Sequence, residues 1–140
     1  MTPSEVAFAF VEAINAKDIE SLSALMTVNH KFIDGDGSEH VGKVQMKEGW
    51  TEHLKLIPDL TLSISRHFVE NNTVVLLGQS KGTIIQNGEL RPENSWEVPC
   101  AWRVLIESGK VAEWQLFANQ CSLHMIYDRI IADKNKTESS

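Results

Sequence analysis

The stretch that decides the fold runs from Trp96 to Asn119 and reads WEVPCAWRVLI, then ESGK, then VAEWQLFAN. Two runs rich in β-forming residues flank a short turn that carries Gly109, so a β-hairpin is predicted. Because successive side chains of a strand point to opposite faces, alternation in the first run predicts one apolar face of a large, twisted antiparallel sheet. The apolar residues of that face carry the even numbers: Trp96, Val98, Cys100, Trp102, Val104 and Ile106.

The residues upstream of this hairpin predict helices. Thr2 is a helix N-cap, and Glu5 lies three residues later, which is the spacing of a capping box. Residues 6–14 are apolar around most of the helix, so this helix is expected to be buried on more than one side. Asp18 caps a second, short helix, and a third helix is predicted over about 43–57.

Alternating residues predict long strands over about 60–70 and 73–85, then a loop at 90–93 before the hairpin. A short strand is expected at 30–34, and a closing helix at 122–131. Helices that are segregated from antiparallel strands indicate an α+β fold.

The long strands cannot be covered by three helices if the sheet is flat, so we expect the sheet to curl. The predicted fold is a cone-shaped, curved antiparallel (mixed) sheet wrapped around three N-terminal helices. A cone of this kind leaves an internal cavity suited to a small ligand. We expect a single domain over residues 1–131 and a flexible C-terminal tail over residues 132–140.

Composition excludes several classes of function. The net charge is −6 and the 13 basic residues are scattered, so neither nucleic acid nor a membrane surface is an expected partner. The first residues lack the basic region of a secretory signal, and no apolar run is long enough to span a membrane. Cys100 and Cys121 are typical of free thiols in a reducing compartment, so a cytoplasmic location is expected.

A set of short segments spread along the chain carries a family resemblance: 10–20 with Leu22, Leu25 and Met26; Phe32-Ile33-Asp34; Trp50; Pro58-Asp59-Leu60; Glu97-Val98-Pro99; Trp102-Arg103-Val104; Gly109-Lys110-Val111; and Glu113-Trp114. In these residues the chain resembles the SnoaL-like branch of the nuclear transport factor 2-like superfamily over nearly its whole length. This resemblance implies a cone-shaped α+β barrel with a deep apolar pocket, usually a homodimer through the sheet. Members include isomerases, polyketide cyclases, epoxide hydrolases, dehydratases and binding modules, so the fold alone does not define the reaction.

Asp34 is the candidate catalytic residue. The segment from Asp18 to Asp34 is similar, without a gap, to the segment of ketosteroid isomerases that ends in their general base. The resemblance therefore implies that Asp34 abstracts a proton from a carbon next to a carbonyl group. The alternative is that Asp34 only begins the turn at Gly35-Asp36-Gly37, which is a common role for aspartate.

Departures from the isomerase pattern argue against steroid isomerisation by the usual route. By the resemblance, Phe10 stands where those enzymes have the tyrosine of the oxyanion hole, and Ala101 stands where they have its protonated acid. Neither side chain can donate a hydrogen bond, and losing such donors costs several kcal/mol of transition-state stabilisation, on the order of 3 kcal/mol for each donor. Epoxide hydrolases of this fold have an acid two residues after the last tryptophan, where this chain has Leu116. Cyclases use an acid and a histidine inside the cone, and neither aligns securely here.

The expected pocket wall combines aromatic residues with a few polar ones. Glu97 and Arg103 share the parity of Ala101, which the isomerase comparison places inward; a bulge at Pro99 would reverse this, and solvent-facing charges are the favoured alternative. His67 is the histidine expected to approach the cone, although a surface position is the alternative, whereas His53 is expected to be half-buried without a function. The candidate pocket residues are Phe8, Phe10, Trp50, His67, Glu97, Ala101, Trp102, Arg103 and Phe117.

The leading hypothesis is a protein that encloses a small, largely apolar organic molecule and acts as an isomerase, cyclase or lyase without a cofactor. The alternative is a non-catalytic ligand-binding or dimerisation module of the same fold. No histidine pair has the spacing of a helical zinc site, so no metal is expected. A homodimer is expected through the even-numbered apolar face of residues 96–106, on the assumption that the helices cannot also cover it.

Overall fold

The structure, a computed structural model, describes residues 1–139, with side chains described for residues 1–136. Helices precede the long strands, as expected for an α+β fold. In chain order the elements are α1 (Pro3–Ala16), α2 (Ile19–Ala24), β1 (Met26–Ile33), β2 (Glu39–Val41), α3 (Lys43–Leu56), β3 (Thr61–Glu70), β4 (Thr73–Gln86), β5 (Glu89–Glu107), β6 (Lys110–Ala118) and α4 (Cys121–Ser139).

The first two helices begin where their capping residues predict. The hydroxyl of Thr2 accepts a hydrogen bond from the N–H of Glu5, and the Glu5 carboxylate accepts one from the N–H of Thr2. Lys17 ends α1 in the left-handed conformation, with φ of 59°. The carboxylate of Asp18 then accepts a hydrogen bond from Ser21 N at 3.1 Å and starts α2. Because these signals act over a few residues, the sequence alone is enough to predict them.

The strands form one curved sheet in the order β2-β1-β6-β5-β4-β3. The β1–β6 pair is parallel and the other pairs are antiparallel, so the sheet is mixed. Helix α1 packs on the concave face, where Phe10 and Ile14 have no exposed surface. The concave face therefore carries the core and, beside it, the space in which a ligand could be held.

The even-numbered face of β5 lies on this concave side, which corrects two expectations. Trp102 and Val104 are buried there, so this face is not free to form the predicted dimer contact. Pairing with β4 continues without a bulge from Leu105 to Ser95, so the proline at position 99 does not reverse the alternation. The odd-numbered face is convex and carries Arg103. The concave face carries more apolar side chains than the convex face, because the helices cover the sheet only on its concave side.

A bulge in β3 changes which side chains face inward. The register with β4 shifts between Ile64 and Arg66, so the alternation reverses beyond that point. His67 consequently lies on the concave side, opposite Leu76, and Phe68 turns to the convex face with half its surface exposed. The sequence pattern places Phe68 with the inward residues, and this assignment is wrong because a bulge leaves no simple signal in the sequence.

Several boundaries also differ from the sequence-based ones. The first strand begins at Met26 rather than His30, and β2 lies in a segment for which the sequence predicted no element. The loop predicted at 90–93 belongs to β5, where the side chain of buried Asn94 donates to the carbonyl of Ile84 at 3.2 Å and holds the strand end to β4.

The closing helix continues past Ile131 to Ser139. Its Arg129 donates hydrogen bonds to the Glu93 carbonyl at 2.6 Å and to Asn94 Oδ1 at 2.5 Å, which fixes the helix to β5. The flexibility expected of residues 132–140 stays a prediction, and Ser140 lies outside the described residues. No helix in the described residues is both long and apolar enough to cross a membrane.

Candidate functional site

A cavity of about 470 Å³ lies between helix α3, the concave face of the sheet and the start of α4. Its wall is mainly aromatic and includes all four tryptophans of the chain. The polar residues of the wall come from several elements: Asp34 after β1, His40 on β2, Gln45 and His53 on α3, Ser80 on β4, Gln120 before α4, and His124 on α4. The aromatic residues are Phe32, Trp50, Trp96, Trp102, Trp114 and Tyr127.

Asp34 follows the last residue of β1 and lines this cavity. Its Oδ1 accepts a hydrogen bond from the N–H of Gly35 at 2.7 Å, and its main-chain N–H donates to the Ser38 carbonyl at 2.9 Å. Among the described residues the other carboxylate oxygen has no hydrogen-bond donor. One oxygen therefore stabilises the turn, as the alternative interpretation expects, and the catalytic role of Asp34 stays a prediction.

His53 lies on α3, one turn after Trp50, and also lines the cavity. Its ring meets the ring of Trp50 edge-on, with centroids 5.8 Å apart. Burial lowers the pKa of His53, and the negative charge of Asp34 opposes this by a smaller amount. His53 is therefore neutral near pH 7 and is close enough to Asp34 to interact electrostatically with it. The half-buried position expected of His53 is confirmed, whereas its proximity to Asp34 has no signal in the local sequence.

Cys100 also lines the cavity, but its thiol is not suited to nucleophilic attack. Burial raises the pKa of Cys100 to about 11, so the thiolate is scarce at neutral pH. In the described part of the chain, no three His, Cys, Asp or Glu side chains are grouped so that they could hold a metal ion. The polar chemistry of the cavity is therefore carried by Asp34 and the histidines.

Of the residues expected at the pocket, Trp50 and Trp102 line the cavity together with Asp34. Phe10 has no exposed surface and lies behind the wall, where its ring packs on Trp114 with centroids 4.7 Å apart. Phe8 meets His67 edge-on at 5.1 Å, where α1 lies against β3, and this pair is not part of the cavity wall.

Four other expected pocket residues lie on the convex face: Glu97, Ala101, Arg103 and Phe117. Arg103 Nη1 is 2.9 Å from the carboxylate of Glu113 on the neighbouring strand, so its ion pair forms outside the cone rather than with Glu97. Phe117 pairs with Ala101 across β5 and β6 and is half exposed. These residues lie outside the cone because the odd-numbered side chains of β5 are on the convex face. The isomerase comparison placed the odd-numbered side chains inward.

Further residues of the wall, on β5, β6 and α4, were not among those expected at the pocket. Trp96 and Trp114 line the cavity, and Trp96 shares the even parity of Trp102, which was the available signal. Helix α4 contributes His124 and Tyr127. Their position depends on how α4 returns across the open end of the sheet, and no local pattern predicts that.

Because of His30, we expect the stability of the fold to depend on pH below the ordinary pKa of histidine. Its side chain is fully buried, its Nδ1 lies 2.7 Å from the Val111 carbonyl, and burial lowers its pKa. The unfolded chain takes up a proton at about pH 6.5 and the folded chain does not, so we expect the free energy of unfolding to fall as pH drops below that value. The slope attributable to one histidine is at most about 1.4 kcal/mol per pH unit.

Urea unfolding between pH 7.5 and 5.5 measures this slope. His30→Asn is expected to make the slope shallower, while His53 still contributes to it because burial lowers its pKa as well. A His30 variant with the slope of the wild type contradicts the assignment.

A curved mixed sheet that encloses an aromatic cavity with its helices defines the nuclear transport factor 2-like, or ketosteroid isomerase-like, fold. The family model for the SnoaL-like domain matches residues 7–114. The chain belongs to the SnoaL-like family, and the resemblance inferred from the sequence is confirmed. A search of curated proteins finds no match to this chain.

Solved structures support the same fold. A proposed SnoaL-like polyketide cyclase from Shewanella denitrificans is 12% identical, with 91% of this chain and 97% of that chain covered and a TM-score of 0.78. One from Jannaschia is 18% identical, with 89% and 90% covered and a TM-score of 0.76. A hypothetical ketosteroid isomerase-like protein from Catenulispora acidiphila, in complex with trimethylamine, is 18% identical, with 88% and 91% covered and a TM-score of 0.74. Identities this low establish the fold alone.

Proposed function

We propose that this protein binds a small, largely apolar ketone in its cavity and moves a proton on the carbon next to the carbonyl group. The reaction is an isomerisation, cyclisation or elimination of the kind that needs no cofactor. The observation that supports it is that Asp34 and His53 line one aromatic cavity, with one Asp34 oxygen free of partners among the described residues.

In the proposed mechanism Asp34 is the general base. Its free oxygen takes the proton from carbon, and the electron pair left behind moves to the carbonyl oxygen as an enolate. The hydrogen bond from Gly35 N–H holds the carboxylate in one orientation, which favours a fixed approach to the substrate. Asp34 then returns the proton to a different carbon, which restores both the carbonyl group and the carboxylate. General acid–base catalysis of this kind contributes about 10²- to 10⁴-fold.

The surroundings of the pair favour this chemistry. An aromatic wall lowers the effective dielectric beside it, so charges at this wall interact more strongly than they do in solution. The cavity is of a size that takes two or three fused rings, in the usual range of about 300–1,000 Å³ for small-molecule sites. Proposed polyketide cyclases among the fold's solved members also agree with a ketone substrate.

The second candidate is a binding module without catalysis. It is favoured by the absence of the donors that ketosteroid isomerases use. Phe10 has no hydroxyl, and Ala101 has no acid and lies on the convex face. A carbonyl oxygen in this cavity must therefore be stabilised by other groups, or the ligand is only held.

The test is exchange of the acidic protons of 2-tetralone, a bicyclic ketone that fits the cavity, in D₂O followed by proton NMR. Catalysed exchange that saturates with ketone concentration supports the proposed function. Binding without exchange supports the second candidate, a binding module without catalysis. Absence of both binding and exchange overturns the proposal of a ketone ligand.

We also propose that the protein is a homodimer through the convex face of the sheet rather than through the face first expected. Register places a group of apolar side chains there: Phe68, Val75, Leu77, Ala101, Leu105 and Phe117. Phe117 is half exposed in the single chain, and burying such a patch against a second copy removes apolar area from water.

Sedimentation at micromolar concentration measures the oligomeric state. Phe117→Glu is expected to convert dimer to monomer, because it would bury an unpaired charge. Val44→Glu is the matched control, since Val44 is also exposed but lies on α3 and not on the convex face. A wild-type monomer at this concentration contradicts the proposal.

A further inference from the structure

Two segments of the chain leave the sheet at the same edge, beside the proposed base. Strands β1 and β6 are parallel neighbours, and Ile33, the last residue of β1, pairs with Gln115. Strand β6 then ends at Ala118. Because the carboxyl ends of parallel strands lie at one edge of a sheet, the turn after β1 and the link from β6 to α4 are neighbours. The first segment carries Asp34 and the second carries Gln120.

The side chain of Gln120 lies directly against Gly35, the residue that follows the base. A Cβ atom at Gly35 would lie 2.8 Å from Gln120 Oε1 and 3.3 Å from its Cδ. The N–H of the same glycine donates a hydrogen bond to Asp34 Oδ1 at 2.7 Å. The carboxylate of Asp34 and the amide of Gln120 therefore flank one residue, and both Asp34 and Gln120 line the cavity.

The side-chain amide of Gln120 is available to a ligand. Gln120 is only partly buried, and no group in the described part of the chain forms a hydrogen bond with its amide. The amide atoms are not among the fully buried, unpartnered polar atoms of the described residues, so a ligand can reach them. The main chain is fixed, since the Gln120 carbonyl accepts a hydrogen bond from His124 N at 3.0 Å in the first turn of α4. The side chain therefore offers two N–H donors from a fixed point.

The backbone conformation at Gly35 does not itself require a glycine. Its φ is not in the left-handed region, unlike that of Gly37, which has a φ of 86°. The main-chain oxygen of Ala118 would lie 3.5 Å from a Cβ atom at Gly35, which is an ordinary contact distance. Of the atoms nearest such a Cβ, only those of the Gln120 amide are too close. The missing side chain at Gly35 therefore lets the amide approach the base.

We propose that Gln120 is a catalytic residue whose side-chain N–H stabilises the enolate oxygen that forms when Asp34 removes a proton from carbon. This inference rests on the proposed function and supplies the donor that Phe10 and Ala101 cannot provide. The C–H bond breaks, its electron pair forms a carbon–carbon double bond, and the carbonyl π pair moves to the oxygen bound by Gln120. Asp34 then returns the proton, and the amide keeps both of its hydrogens. Side-chain amides are among the groups that stabilise such oxyanions.

Gln120→Met tests this role, because methionine has a similar length but cannot donate a hydrogen bond. The rate of proton exchange in saturating 2-tetralone is expected to fall about 10- to 100-fold, while the Kd for the ketone rises less than about threefold. The loss is smaller than for a donor in an enclosed site because water reaches this amide. Gln115→Met is the matched control, since Gln115 pairs with Arg103 on the convex side and does not line the cavity. The control should exchange at the wild-type rate.

Gly35→Ala is a second variant, which leaves Gln120 in the chain. Alanine keeps the N–H that binds Asp34 Oδ1, but its Cβ displaces the Gln120 amide. Exchange is therefore expected to slow about 10-fold, while the midpoint of urea unfolding stays at the wild-type value. In the double variant, Gly35→Ala with Gln120→Met, the rate is expected to equal that of Gln120→Met alone. A further loss in the double variant would show that Gly35→Ala acts through Asp34, which contradicts the inference.

Side-chain amide resonances give a measurement that does not depend on a rate. In ¹⁵N-labelled wild type, the Gln120 signals, assigned by their absence in Gln120→Met, are expected to move with 2-tetralone but not with tetralin, which has the rings without the oxygen. Exchange by Gln120→Met at the wild-type rate, or Gln120 signals that move equally with both compounds, overturns the inference while the proposed function stands. Wild-type binding without exchange ends the catalytic role of Gln120. If the wild type neither binds 2-tetralone nor exchanges its protons, the proposed function fails and the inference fails with it.

Discussion

Asp34→Asn lowers the rate of proton exchange in 2-tetralone by at least about 100-fold, while the Kd for the ketone changes by less than about threefold. Asparagine keeps the shape of the side chain, and its amide oxygen can still accept the hydrogen bond from Gly35 N–H, so the turn is retained. It loses the basicity that proton abstraction needs. Proton NMR in D₂O measures the exchange rate, and calorimetry measures the Kd on the same preparation.

Asp36→Asn is the matched control for this result. Asp36 belongs to the same turn and is exposed, but it does not line the cavity, and its carboxylate accepts a hydrogen bond from Ser38 N at 2.9 Å. The control should exchange at the wild-type rate. Equal turnover by Asp34→Asn and wild type ends the general-base proposal, and a similar loss in both variants attributes the effect to the turn.

Gly78→Ala is expected to have the largest effect on stability, lowering the free energy of unfolding by more than about 3 kcal/mol. A Cβ atom at this position would lie 1.8 Å from the main-chain oxygen of Ser63 and 2.8 Å from its carbonyl carbon. Both atoms belong to the backbone of β3 next to its bulge, so neither can move without breaking the β3–β4 register. Urea unfolding followed by circular dichroism measures the loss.

The opposite sign is expected for Gly49→Ala, which serves as the comparison. Gly49 lies inside helix α3, and the nearest heavy atom to a new Cβ would be Met46 Cε at 3.9 Å. Alanine is favoured over glycine within a helix by about 0.5–1 kcal/mol. A Gly78→Ala protein as stable as the wild type would show that β3 can yield at its bulge, and the close approach would then be unimportant.

The expected effect of Gly78→Ala depends on the position of β3, and that of Asp34→Asn depends on the position of the segment after β1. Ser63 approaches Gly78 next to the bulge, and beyond the bulge His67 lies beside Phe8 on the concave side with its side chain exposed. Asp34 is held at the cavity by the turn that follows β1. Stability and the proposed chemistry therefore draw on different parts of the sheet and can be tested separately.

Much of the fold is predictable from short-range signals. The capping box at Thr2 and Glu5, the cap at Asp18 and the turn at Gly109 each act within a few residues, so the elements begin and end near the expected places. The sequence does not predict the first part of β5, because Asn94, which joins this strand to β4, is a residue type typical of loops.

The candidate site is only partly predictable. Asp34 is found through its resemblance to the isomerase segment, and Trp50 and Trp102 through their place among apolar residues. His53 and Trp96 are missed because what singles them out is a neighbour from another element or the lack of a partner. Neither property depends on the adjacent residues, so the local sequence does not indicate it.

The sequence by itself determined the order of the helices and of the long strands, the α+β class and the alternation of β5, because these depend on contacts between nearby residues. Only the tertiary structure decided which face of that alternation is inside, since this depends on which surface the helices cover. It also decided that Phe68 turns outward beyond a bulge and that Asp34 and His53 share a cavity. Such outcomes arise from packing between distant segments, where burial rather than local preference sets the position of a side chain.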